Sequence, residues 1–322
     1  LETFGGPETM RIADVDRPVP GPNQVRVRVI ATSVNRADII QRQGNYPPPK
    51  GESQILGLEV AGVVDVLGPG ADDWNPGDRV MGLVAGGGYA EYALVYDSHL
   101  IPIPEGMDYT QAACISETTI TAFLNIYLIG DIQPGETALL HGGGGGVNTA
   151  AIQLCRSLTP NATLIVTASP GKIERVAALG VDRVVDYQNE NFATEVRKFT
   201  ENRGADLILD HIGADYLAPN LKALAVEGRL VVIGVTSGAV APVNLAHLMV
   251  KRQRIIGSVI RARSVAEKAR ITATFRDRVM PHIIARQIEP LIHRVYPLEA
   301  AADAHREMEG RRHFGKIVLA VQ

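Results

Sequence analysis

Five consecutive glycines, residues 142–146, stand between a run of strand-forming residues, Thr137-Ala138-Leu139-Leu140, and a stretch in which Val147, Ala150, Ala151, Leu154, Cys155 and Leu158 recur at helical spacing. A strand that feeds a helix through bare backbone leaves the first N–H groups of that helix uncovered, and such a terminus attracts an anion. Gly143 and Gly145 match the first two glycines of the G-x-G-x-x-G spacing that cradles a dinucleotide pyrophosphate, while Asn148 stands at the third. The third glycine normally allows close helix–strand packing. The Cβ and amide of Asn148 are therefore expected to shift the pyrophosphate or to hydrogen-bond it. The bland reading is a tight turn and nothing more. No Gly-Lys-Ser/Thr follows, which removes the mononucleotide P-loop.

The alternation continues downstream. Strands are expected over 163–168, near Val184-Val185, and over 205–210, 230–234 and 255–260, with a helix opened by Ser169-Pro170 after the first. Strands alternating with helices in this way give an α/β domain built on a parallel, doubly wound sheet, here residues 120–260. The first third reads differently. Val25, Val27 and Val29 alternate with Arg26 and Arg28, the period-2 pattern of a half-exposed strand. Turn clusters at 18–22, 46–49, 68–70, 75–78 and 86–88 separate short strands, as in a small barrel or sandwich. After Arg263 a long helix is expected to about residue 285, then a strand at 291–296, a helix at 299–308 and a closing strand at 316–322. This tail is expected to rejoin the first domain, giving a discontinuous domain of residues 1–119 and 261–322.

Composition narrows the function classes. The 322 residues carry a formal net charge of −3, which argues against nucleic-acid or anionic-membrane partners. The basic clusters at 251–254 and 261–263 lack interleaved aromatics and read as solvated faces. Cys114 and Cys155 are the two cysteines, too few for a disulfide scaffold or a multi-thiolate metal site, and they suit a reducing cytoplasm. Residues 138–155 and 230–250 contain no Asp, Glu, Lys or Arg, but glycines and polar residues break both, so each reads as strand–loop–helix. No signal peptide is visible, and the chain opens at Leu1 without a Met, which leaves room for residues ahead of it.

An NAD reader places an acid about 20 residues beyond the first glycines, at the end of the second strand. Here that place reads Thr167-Ala168-Ser169, and Lys172 follows, able to pair with a 2′-phosphate. NADPH is therefore expected over NADH, although Lys172 reads equally as an exposed first-turn lysine. Tyr187 closes the third strand and could reach the adenosine end.

Several motifs run in order along nearly the whole chain: Ser33-Val34-Asn35-Arg36-Ala37-Asp38, Gln41-Arg42-Gln43-Gly44-Asn45-Tyr46, Leu56-Gly57-Leu58-Glu59-Val60-Ala61-Gly62, Thr121-Ala122-Phe123, the loop at 141–149, and Gly315-Lys316-Ile317-Val318-Leu319. In these the chain resembles the zinc-independent, zeta-crystallin-like quinone oxidoreductases of the medium-chain dehydrogenase/reductase superfamily, nearest to the p53-inducible type. The resemblance implies a GroES-like β-barrel catalytic domain, a Rossmann NADPH domain, a cleft between them and a homodimer formed through the Rossmann sheets. Zinc-dependent relatives carry Cys and His where this chain has Asn35 or its neighbours and Leu58, so no zinc is expected.

The resemblance also implies the site. Asn35 stands near the nicotinamide, or caps the following turn. Tyr46 faces substrate as a phenol able to give a proton to a forming quinol oxygen, or packs on Pro47–Pro49. The cofactor set is Thr121, Gly144, Gly145, Gly146, Val147, Asn148, Thr167, Ser169, Lys172, Tyr187, Gly234 and Lys316, the last as a phosphate contact or a solvated strand-end lysine. Glu59 and Asp38 are expected as structural acceptors, and Cys114 as packing. The function so implied is hydride transfer from NADPH to a small quinone, or to a related activated carbonyl or enone. The alternatives are an enoyl-thioester reductase and a low-turnover NADPH-binding sensor or structural protein.

Overall fold

The computed structural model describes residues 3–321, and the chain divides into two compact units, Leu1–Ile120 with Ile260–Gln322, and Thr121–Val259. The first unit is built on β1 (Gln24–Val34), β2 (Glu59–Leu67), β3 (Arg79–Leu83), β4 (Tyr92–Tyr96) and β5 (Leu100–Pro102), joined late in the chain by β12 (Ile292–Pro297) and β13 (Lys316–Ala320). They form one sheet in the order β12-β13-β1-β2-β3-β5, with β4 also on β1.

β1 organises it. One half, Gln24–Arg28, pairs antiparallel with β4, the other half, Ala31–Val34, pairs with β13, and β2 runs along the opposite edge. A strand shared in this way must bend. The pairing with β2 shifts register between Val29 and Ala31, where the inside–outside alternation of Val25, Val27 and Val29 gives way to a wholly buried run to Val34. The buried valines meet Val60, Val64, Trp74, Val80, Val95 and Leu100 in one core. A short helix, α1 (Arg36–Arg42), follows β1 directly, and the Asp38 carboxylate accepts from the Asn35 N–H at 2.8 Å at its start.

The second unit holds the parallel sheet expected from the alternating pattern. Its strands are β6 (Thr137–His141), β7 (Thr163–Ala168), β8 (Arg183–Asp186), β9 (Ala205–Asp210), β10 (Leu224–Val232) and β11 (Arg254–Gly257), in spatial order β11-β10-β9-β6-β7-β8. The chain thus winds outward from β6 in one direction and resumes from β9 in the other. The order reverses between β6 and β9, where open α/β sheets bind ligands at the carboxyl ends of their strands. Leu139, Ile165, Val185, Ile208 and Leu230 pack with Phe192, Val196 and Leu221 to form the core.

Three expectations are adjusted. The long helix expected from Arg263 to residue 285 is two, Val265–Arg278 and Met280–Ile284, parted at Val279. Pro281 lies one residue into the second, and its ring and missing N–H forbid a continuous turn there. The strand expected over 255–260 covers Arg254–Gly257. The closing strand ends at Ala320, while Gln322 lies outside the described residues. Among the described residues no helix is long and apolar enough to cross a membrane.

Candidate active site

At the end of β1 in the first unit, three polar side chains and a backbone N–H surround one carboxylate. Glu59, at the start of β2, is fully buried, and Lys316, at the start of β13, is 4% exposed. The Lys316 ammonium donates to Glu59 Oε1 at 3.0 Å, to Asn35 Oδ1 at 2.7 Å and to the Val34 carbonyl at 3.3 Å. An ammonium has three hydrogens, so all are spent. Glu59 Oε1 also accepts from the Ser33 hydroxyl and from Asn35 Nδ2, and its Oε2 accepts from the Glu117 N–H at 2.8 Å.

This arrangement corrects one sequence-based expectation. Lys316 is neither a phosphate contact nor a solvated strand end: burial leaves it committed within its own unit. Asn35 stands at the start of α1 in a capping box with Asp38, and its amide also joins the ion pair, with Nδ2 shared between Glu59 Oε1 and the Ser33 carbonyl and Oδ1 accepting from Lys316. Glu59 and Asp38 do serve as acceptors. Asp38 takes the N–H groups of Asn35 and Gly57, and burial pushes its pKa to about 6.

Glu117 went unread in the sequence, although one signal existed: it is the only charged residue between Asp108 and Asp131. Its backbone serves Glu59, while burial and the like charge of Glu59 push its carboxyl to about 8, so it is held largely neutral at pH 7. Tyr46 is partly buried. Burial and Glu117 raise its phenol above the ordinary range, and Arg261 lowers it. A phenol so placed is a hydrogen-bond donor at neutral pH. Arg261 is a further correction. Read as part of a solvated face, it is buried and lies with its guanidinium carbon 5.0 Å from the centre of the Tyr46 ring. Sequence spacing carries no sign of this, because the contact joins residues 215 apart.

In the second unit the glycine loop leaves β6 at the reversal of strand order. Gly142 has φ +77, and a Cβ there would lie 2.7 Å from the His211 ring. A Cβ on Gly143 would lie 2.4 Å from Val166 on β7, so the loop hugs the sheet and only glycine fits. Gly145 is the N-cap of α2 (Gly146–Leu158) and has no side chain with which to cap it. Gly144, Gly146 and Val147 complete this turn.

Asn148 departs from expectation. Its Nδ2 donates to the carbonyls of His141 and of Gly142, the latter at 3.2 Å, and has no hydrogen left for a phosphate; its Oδ1 is buried without a partner. The residue thus tethers the loop to the strand it leaves. Beneath it, His141 is fully buried between the Thr167 hydroxyl at 3.2 Å and Asn220 Oδ1 at 2.7 Å. Thr167 Oγ1 also accepts from the Gly142 N–H at 3.0 Å, and Asn220 Nδ2 reaches Asp210 at 3.2 Å. Burial pushes His141 down to about 3 and Asp210 up to about 6.

The remaining expected residues gather at the same ends of the strands. Ser169 and Lys172 follow β7, Tyr187 follows β8, and Gly234 follows β10, where a Cβ would lie 3.0 Å from the His211 carbonyl. Lys172 is partly buried, and burial with Arg175 lowers its pKa. Thr121 lies within the helix Thr118–Phe123, and its buried hydroxyl has no partner among the described residues.

A dinucleotide fits this unit. The first-turn N–H groups of α2 meet no capping side chain, and the loop presents bare backbone at the crevice where strand order reverses.

Comparisons with known proteins agree with this geometry. Residues 21–105 match the family described as the alcohol dehydrogenase GroES-like domain, and residues 179–319 match the zinc-binding dehydrogenase family. The chain is 32% identical to the synaptic vesicle membrane protein VAT-1 homolog of Rattus norvegicus, covering 99% of this chain and 82% of that protein. It is 30% identical to the quinone oxidoreductase of Homo sapiens, covering 98% and 95%. Among solved structures, a quinone oxidoreductase from Pseudomonas syringae pv. Tomato DC3000 superposes with a TM-score of 0.89 at 30% identity, covering 99% and 98%. A mycobacterial protein complexed with NADPH superposes with a TM-score of 0.89 at 28% identity over the same shares.

The zinc in the second family's description does not fit these residues. Leu58 is apolar and buried, Asn35 is spent on an ion pair, and the Lys316 ammonium stands beside Glu59. Among the described residues no group of three or more His, Cys, Asp or Glu is placed to hold a metal.

Two measurements probe the site. Lys316→Met strands the Glu59 carboxylate without its counter-charge and is expected to cost about 3–5 kcal/mol in urea unfolding, with the Glu59→Gln/Lys316→Met double variant regaining part of it. His141 binds its proton less readily folded than unfolded, so its contribution to stability is lost as pH falls from its ordinary 6.5 toward about 3. Asp210 acts oppositely, so the readout is a difference: thermal melts from pH 7 to pH 4 should show a smaller loss for His141→Gln than for the parent chain.

Proposed function

As this chain belongs to the medium-chain dehydrogenase/reductase superfamily, with a GroES-like and a Rossmann-type unit, we propose that it is an NADPH-dependent oxidoreductase that works without zinc and reduces quinones or related activated carbonyl and enone compounds. The observation that carries the reading is the partly buried phenol of Tyr46, raised above its ordinary range and packed against Arg261, in a unit whose buried Lys316 ammonium stands on Glu59 and Asn35. In the bound state NADPH supplies the hydride. The first-turn N–H groups of α2 hold its pyrophosphate, with Gly144, Gly145, Gly146 and Val147 giving the close backbone approach. Lys172 pairs with the 2′-phosphate, Tyr187 and Ser169 border the adenosine end, and Thr121 and Gly234 border the nicotinamide end. Tyr46 donates a hydrogen bond, then its proton, to the substrate oxygen that becomes negative. Asn35, Glu59 and Lys316 keep the end of β1 and the start of α1 rigid, which holds the backbone leading to Tyr46 in place.

A second copy of the chain is the proposed partner. β11 is an edge strand with β10 as its neighbour, and beyond it Leu245, Met249 and Val250 of the helix Leu245–Val250 are 70–72% exposed. Edge pairing of two β11 strands would extend the sheet and cover those side chains. Sedimentation velocity is expected to show two copies per particle, and Met249→Asp to shift the population toward one. A cytoplasmic enzyme acting on a small soluble substrate fits this reading.

Stopped-flow absorbance of NADPH with 1,2- and 1,4-quinones tests the function. Rapid quinone-dependent oxidation is expected, unaffected by a chelator and faster than with NADH. Lys172→Ala should raise KM for NADPH about tenfold and leave NADH unchanged, the loss of roughly one exposed phosphate contact. Oxidation with an enoyl thioester but with no quinone would move the chain to the reductase alternative. Tight NADPH binding without oxidation of either would favour the sensor.

A further inference from the structure

Arg261 is 6% exposed and donates to three neutral acceptors: Nε to the Ala85 carbonyl at 2.8 Å, Nη1 to the Tyr46 carbonyl at 3.1 Å, and Nη2 to Gln41 Oε1 at 2.7 Å. Among the described residues it forms no ion pair. A buried cation that lacks a carboxylate partner is costly, and it is tolerated where its charge is used. Here it lies against the Tyr46 ring, in range of a cation–π contact. The anchor points come from three segments: Gln41 in the last turn of α1, the Tyr46 loop, and Ala85 beyond β3. Gln41 is itself fixed, with Nε2 donating to the Gln54 carbonyl at 3.1 Å.

We propose that Arg261 is the positioning residue of Tyr46, and that its unpaired guanidinium is the positive charge that favours release of the phenolic proton to the substrate. The inference rests on the reading of Tyr46 given above. A bound NADPH would supply the hydride, two electrons and one hydrogen, to the substrate. The substrate oxygen takes the Tyr46 proton, and the phenolate regains a proton from water, giving hydroquinone and NADP⁺. The charged neighbours agree. Glu117 and Arg261 act on Tyr46 in opposite senses, Asp38, Glu117 and Glu52 surround Arg261, and Lys268 donates to the Arg261 carbonyl at 3.4 Å. Glu117, held largely neutral at pH 7, takes little from the field of the guanidinium, while Asp38 and Glu52 offset part of it.

The test uses Arg261→Gln and Arg261→Lys, each with and without Tyr46→Phe. Tyrosine absorbance titrations, taken as the difference between each chain and its Tyr46→Phe partner, isolate this phenol among the nine tyrosines. Arg261→Gln is expected to move the phenol to a higher pKa and to lower kcat about 10- to 100-fold at nearly constant KM. In the Tyr46→Phe background the same change should cost less than about threefold. Arg261→Lys, which keeps the charge but loses the fork, should leave the phenol near its parent value and restore part of kcat. A folded Arg261→Gln with an unmoved phenol, or losses that multiply with Tyr46→Phe, overturns the proposal. If Arg261→Gln does not fold, Arg261→Lys decides: parent kcat refutes it, and reduced kcat at parent KM, absent in the Tyr46→Phe background, supports it. Should the parent chain reduce neither quinones nor enones, the proposed function fails, while the titration still decides whether Arg261 governs Tyr46.

Discussion

The ion pair between Glu59 and Lys316 is the constraint around which the first unit is assembled. Two charges taken out of water repay their desolvation only when every remaining lone pair and hydrogen is satisfied. Here Ser33, Val34, Asn35 and the Glu117 backbone meet that demand, so the geometry at the end of β1 follows from the pair. It also explains how a strand near the C-terminus comes to pair with β1: the Lys316 side chain belongs to the start of β13, and its partners lie 257 to 282 positions earlier. Around this centre burial governs the acids. Glu117 and Asp38, both desolvated by burial, hold their protons more tightly than exposed carboxyls do.

The second unit is organised on the same principle, with a buried imidazole held uncharged. His141, Thr167, Asn220 and Asp210 form a hydrogen-bonded chain under the glycine loop, and the Phe192 and Tyr216 rings meet the imidazole edge-on at 4.7 and 4.8 Å. A loop of glycines is entropically costly to order. The Thr167 hydroxyl takes its first N–H, and Asn148 ties down the carbonyls on either side of its start. The loop is thereby pinned before any ligand arrives, which lowers the entropic cost of binding one.

Much of this was legible in the order of residues. The Val25–Val29 alternation, the strand–glycine–helix passage and the repeated strand-and-helix rhythm after residue 120 each depend on neighbours within a few positions, and the structure holds a strand, a tight turn and a parallel sheet at those places. The break at Val279 was missed even though Pro281 was in plain view, because apolar periodicity runs straight through it. The residues in the site were misjudged for other reasons. Lys316 and Arg261 are polar side chains whose exposure follows from type alone, since Lys and Arg are usually solvated, and Asn148 was assigned to a ligand where the fold gives it backbone carbonyls instead.

Sequence alone determined the two architectures and the place of the glycine turn between β6 and α2, because periodicity and glycine content are local properties. Tertiary structure alone decided what the buried polar groups do. Lys316 meets Glu59, Arg261 meets Tyr46 and Asn220 meets His141 across 257, 215 and 79 positions. Whether such a group is a solvated charge or the centre of a site depends on which partner the fold brings to it and on the water it excludes, and no window of neighbouring residues contains that information.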